Sequence, residues 1–129
     1  MTHSLTMNWS NQASVAFQQS DVAHTHGTTA TFTPSTLQPN GNSSVFVDQS
    51  MNGGPGPVGN YTWASELNPL NNVACSYNHP SGTGQTTVTV SPSGFAVSFD
   101  GSSWSTGAIT THPTGTNITQ PIYVKDLTT

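Results

Sequence analysis

Nowhere along this chain do apolar residues recur at the three- and four-residue spacing of a helix. They alternate with polar residues in short runs, and glycine, proline or asparagine ends each run. Such runs lie at 5–9, 13–17, 28–33, 44–48, 86–90, 95–99 and 118–124, with weaker ones at 21–26 and 104–109 and a central pair at 61–64 and 73–77. A period of two builds strands, and a strand with one apolar face needs a second sheet to cover it. In 44–48 the valines Val45 and Val47 alternate with Phe46, and in 86–90 Val88 and Val90 alternate with threonines. The expected fold is therefore all-β. It is a single antiparallel β-sandwich of about eight to ten short strands, spaced by roughly 8–12 residues, occupying residues 1–129 as one domain.

The richest stretch is 53–84, GGPGPVGNYTWASELNPLNNVACSYNHPSGTG. Its opening Gly/Pro run cannot be a helix interior or a central strand, because proline lacks the amide donor and glycine carries the largest entropy cost. The segments 61–64 and 73–77 flank a turn-rich 68–72 and read as a β-hairpin, with recognition loops expected at 53–60 and 78–84. A second hairpin is expected where 86–90 and 95–99 flank Ser91, Pro92, Ser93 and Gly94.

Charge narrows the function classes. Only 5% of the residues are charged, against roughly 25% in an ordinary domain, and Lys125 is the one Lys or Arg. Nucleic-acid binding and polybasic membrane attraction both run on lysine and arginine, so neither partner is expected. A net charge of −4 is too small for the disordered class despite 32% hydrophobic content. Cys75 stands alone within an alternating apolar segment and reads as a buried, inert thiol. The first residues carry no charged n-region or apolar core of a signal peptide, and no apolar run reaches the length of a transmembrane segment. The localisation is left open, with a surface or extracellular setting reached by a non-classical route in view.

The candidate metal ligands are His24 and His26, since side chains two apart on a strand share a face, with His79 or His112 to complete the set. The plain alternative is a pair of solvated imidazoles. Five acids (Asp21, Asp48, Glu66, Asp100, Asp126) sit near expected turns or strand ends, where solvated carboxylates are ordinary, and no nucleophile elbow or phosphate loop occurs. No enzyme activity and no cofactor are expected. The candidate ligand-binding residues are Tyr61, Trp63, Tyr77 and His79: rings beside turns stack on sugars or enter a lipid interface, while core packing is the competing explanation for each.

The pieces Pro39-Asn40-Gly41, Val45-Phe46, Gly56 to Gly59, Tyr61 to Trp63 and Tyr77 to Pro80 resemble the actinoporin and aegerolysin β-sandwich proteins. That resemblance implies a sandwich scaffold with a glycan or lipid head-group contact near Tyr61, Trp63, Tyr77 and His79. It does not carry over pore formation, because residues 1–20 read as strand where an actinoporin has an inserting helix.

Two functions follow. The first is a non-enzymatic, self-assembling structural protein, a filament, coat or crystalline-inclusion subunit. Scarce charge leaves subunits without repulsion, and the end strands 5–9 and 118–124 are free to complete a neighbour's sheet. The alternative is a lectin-like or lipid-binding recognition module, toxin-like in kind, working through loops 53–60 and 78–84.

Overall fold

The computed structural model describes residues 3–27, 29–50, 54–82 and 84–127. Of the expectations above, Thr28 at the head of one strand and Gly53 and Thr83 in the recognition loops lie outside the described residues. Among those described, all regular structure is strand. In chain order these are β1 (Ser4–Asn11), β2 (Phe17–His26), β3 (Thr29–Thr33), β4 (Thr36–Leu37), β5 (Asn42–Gln49) and β6 (Val58–Ser65). They continue as β7 (Asn72–Asn78), β8 (Thr87–Ser93), β9 (Phe95–Ser98), β10 (Ile109–Thr111) and β11 (Asn117–Asp126). Eleven strands replace the expected eight to ten: β4 is a two-residue pairing beside the start of β2.

The strands form two sheets, in the orders β3-β5-β1-β11-β9 and β10-β8-β7-β6-β2-β4. The hairpin expected around 61–64 and 73–77 is present, with Tyr61 opposite Cys75 and Trp63 opposite Val73. The wholly antiparallel expectation is corrected, because β1 and β11 run parallel from Ser4 beside Asn117 to Asn11 beside Val124. A parallel pair needs a long crossover, and here almost the entire chain separates the two strands. The same pairing overturns the expected donor role of the end strands. β1 is held between β5 and β11, and β11 between β1 and β9, so neither offers an open edge.

The second expected hairpin is also corrected. β8 pairs with β7 and β10, whereas β9 lies in the other sheet against β11. Gly94 makes the change of sheet at φ +88°, where a Cβ would lie 2.8 Å from the Asn71 side chain. That left-handed conformation suits glycine, and the corner it makes sends the chain across rather than back. All four residues of β9 are buried as a result.

Alternation then decides the interior. Leu5, Met7 and Trp9 of β1 and Ile118, Ile122 and Val124 of β11 are buried, as are Tyr61, Trp63, Val73, Cys75, Val88 and Val90 from the other sheet. Side chains of the two sheets touch directly. The Trp9 indole N–H donates to Tyr61 Oη at 2.8 Å, and that hydroxyl donates onward to Met7 Sδ at 3.0 Å. Phe17 meets Phe95 edge-on at 4.8 Å between ring centres, and Phe46 lies 4.4 Å from Tyr61. Edge-on aromatic pairs add about 0.5–1.5 kcal/mol each beyond the area they bury. On β5 the inward face is Ser44, Phe46 and Asp48, with Val45 and Val47 on the half-buried side. The apolar face expected there is therefore the outer one.

Candidate functional site

The histidines, spread through the sequence, converge on one end of the molecule. In one sheet His26 is level with Val58, Val58 with Asn78, Asn78 with Thr87, and Val88 with Thr111, the neighbour of His112. In the other, Ser4, next to His3, is level with both Gln49 and Asn117. The His3 and His79 rings meet edge-on at 5.5 Å, joining the two sheets at this end.

Beneath them lies a buried polar link. Tyr77 Oη donates to Asp48 Oδ2 at 2.5 Å, and His24 Nδ1 stands 3.0 Å from the same oxygen. Asp48 is wholly buried, which corrects the expectation of a solvated carboxylate at a strand end. Its Oδ1 has no hydrogen-bond partner among the described residues. Burial pushes the Asp48 carboxyl above its ordinary value, and the Tyr77 hydrogen bond and the His24 charge pull back against it. The Tyr77 phenol is driven upward by burial and by donating to a carboxylate. Asp48, His24 and Tyr77 come from β5, β2 and β7, so the link ties one sheet to the other.

His79 is fixed by its neighbours. Its Nε2 lies 2.8 Å from the Thr116 carbonyl, an obligate acceptor, so Nε2 carries the proton. In the neutral ring Nδ1 then accepts from the Thr86 hydroxyl at 2.8 Å. Both nitrogens are occupied and the ring is buried, so His79 pins the end of β7 to the residues just before β8 and β11.

The site residues expected from sequence thus fall in two groups. Tyr61, Trp63 and Tyr77 are brought together, with Tyr61 ring contacts to both of the others, whereas His79 lies apart at the histidine end; all four are inside, each at most 4% exposed. Their rings close the interior and do not present a stacking surface. The physical reason is parity, since Tyr61 and Trp63 share the covered face of β6 and Val73, Cys75 and Tyr77 share that of β7. His24 and His26 are not brought together. The β2–β6 register slips between them, placing His24 opposite Gly59 and His26 opposite Val58, adjacent residues that face opposite sides of β6. The same-face argument fails at this bulge, and no group of three or more metal-ligating side chains forms among the described residues.

The two expected recognition loops do meet. The amide of His79 donates to the Pro57 carbonyl at 2.9 Å, and Gly56 packs so closely that a Cβ there would lie 1.7 Å from the His79 carbonyl oxygen. Glycine at 56 is what permits this approach. Around the contact opens a cavity of about 470 Å³, walled by Pro55, Gly56, Val58 and Pro80, with His26 and Asn78 at its rim. Among the described residues His26 is its one titratable group, and no Lys, Arg, Asp or Glu lines it. A smaller cavity of about 290 Å³ lies across Pro80, bordered by His3, His79 and His112.

At the opposite end, Leu67 and Leu70 stand 82% and 81% exposed on the loop joining β6 to β7. ELNPLNN reads only as a turn, so the sequence does not single them out. Asp48, expected as a solvated carboxylate, shares its strand parity with Ser44 and Phe46, and that parity is the signal of its inward position. Comparison with protein-family models and with curated proteins finds no match for this chain. No helix of the described residues is long and apolar enough to cross a membrane.

Proposed function

We propose that this chain is a single β-sandwich domain and a non-enzymatic structural subunit that assembles with copies of itself. The sandwich is supported by the inter-sheet contacts of Trp9, Phe46, Asp48 and Phe17 with Tyr61, Tyr77 and Phe95. The observation that carries the assembly reading is the pair Leu67 and Leu70. Two leucines held almost wholly in water, on a loop braced by its own side chains, are a surface that gains by being covered. Scarce charge supports the same reading, because one of only five acids is buried and Lys125 lies over the Trp104 ring at 4.5 Å. With β1 and β11 interior, assembly runs through surfaces and loop ends and not through donated terminal strands. Size-exclusion chromatography with light scattering over a concentration series tests this. Mass rising above the 13.5 kDa chain with concentration is expected, and a constant monomer would refute it.

A second reading, a recognition module for a neutral glycan or lipid head group, is favoured by the cavity where residues 54–58 meet 78–82. The resemblance to actinoporins and aegerolysins belongs with this reading. Without exposed rings it would rely on His26, Asn78 and the proline walls.

A further inference from the structure

We propose that copies of the chain join head to tail, with Leu67 and Leu70 of one molecule inserted between Pro55 and Pro80 of the next. This rests on the self-assembly reading and supplies its contact.

Tip and cavity lie at opposite ends of the same hairpin. β6 starts at Val58 in the cavity wall and finishes at Ser65 below the tip, and β7 returns from Asn72 to Asn78 at the cavity rim. The tip is preorganised. Ser65 Oγ accepts from the amides of Leu67 and Asn68, Asn68 Oδ1 from the amide of Leu70, and the Asn68 carbonyl from the amide of Asn71. The Asn72 side-chain amide donates to the carbonyls of Pro69 and Leu70. With its backbone amides satisfied internally and its conformation held, the tip gives up few amide–water bonds and little entropy on docking.

The receiving cavity matches in size, surface and charge. Two leucyl side chains fill roughly half of its 470 Å³ at protein packing density, leaving room for the backbone between them. Its walls are largely apolar, from Pro55, Gly56, Val58 and Pro80, with the small side chains of Thr25 and Ser81 also lining it. Glu66 stands beside Leu67, hydrogen-bonded to the Gln18 side chain and exposed, while the cavity's one titratable group among the described residues is His26, also exposed. Docking brings that carboxylate toward that imidazole. Two unlike surfaces make a heterologous contact that repeats from copy to copy. With tip and cavity at opposite ends of one hairpin the expected product is an extended filament, a closed ring being the other form such a contact takes.

Two variants separate the contact from the general reading. Leu67→Asp with Leu70→Asp removes the tip and keeps the cavity, whereas Ser81→Trp fills the cavity and keeps the tip. Both changes are at exposed positions, and an unchanged melting temperature checks that each folds. In sedimentation velocity each variant alone is expected to stay monomeric, with the association midpoint raised at least about 30-fold over the wild type. An equimolar mixture is expected to give a complex of twice the chain mass that grows no further, since one intact tip meets one intact cavity. His26→Glu should weaken wild-type assembly, and Glu66→Lys added to it should restore it. Wild-type assembly that survives in both variants would overturn the contact while self-assembly stands. Assembly by Ser81→Trp alone would overturn it in favour of tips meeting another surface. A wild type that remains monomeric would remove both.

Discussion

Tyr77→Phe isolates the buried link between the sheets. The substitution keeps the ring among Phe46 and Tyr61 and removes only the hydroxyl that donates to Asp48 Oδ2. A hydrogen bond to a buried charged group is worth about 1.5–3 kcal/mol, and a neutral pair about 0.5–1.5. Asp48 is wholly buried, so the larger range applies while it is ionised. For a domain of this size, a loss of about 2 kcal/mol lowers the melting temperature by roughly 6–10 °C. The pH dependence has a definite sign. Asp48's folded-state pKa is raised above its ordinary value, so its contribution favours folding below the unfolded-state value near 3.8 and is lost as pH rises through the folded-state value. Removing the Tyr77 donor raises that pKa further, which deepens the loss at neutral pH and spares the protein in acid. Urea unfolding followed by tryptophan fluorescence at pH 3.5 and pH 7 reads both effects. The variant should lose about 1.5–3 kcal/mol at pH 7 and less than half of that at pH 3.5. No loss at pH 7, or a larger loss at pH 3.5, would refute the reasoning.

Two further substitutions or probes address the loop contact and the interior. Gly56→Ala places a methyl group 1.7 Å from the His79 carbonyl and must part the loops; a melting temperature lowered by more than about 10 °C is expected, and an unchanged one would show that the loops separate freely. Cys75 is buried and its thiol is pushed up to about 12 by that burial, so a thiol reagent at pH 8 should label it only as fast as the protein unfolds. Rapid labelling of the folded protein would contradict its place beside Met7, whose sulfur lies 3.5 Å away.

Much of the architecture is legible in local alternation, and its failures fall where local pattern has no say. The β6–β7 hairpin follows from two alternating segments around a turn. Tyr61, Trp63 and Tyr77 are inward by the same parity, which could have excluded them as exposed rings. The Ser91–Gly94 segment reads as a hairpin turn, yet Gly94 passes the chain to the other sheet, and turn chemistry does not name the sheet that receives the next strand. The parallel pairing of β1 with β11 joins the two ends of the chain and leaves no local trace. His24 and His26 satisfy the two-residue rule on paper, and a bulge that the sequence does not announce undoes it. The convergence of 54–58 with 78–82 was readable as two loops at the same end of one hairpin. The cavity they form depends on how closely Gly56 approaches His79, which only the fold supplies.

Negative-stain electron microscopy of the wild-type protein at high concentration tests the assembly most directly. Unbranched filaments are predicted, with an axial repeat on the order of 30–40 Å set by an eight-residue strand and its loops. A field of dispersed single particles of the 13.5 kDa chain would contradict it.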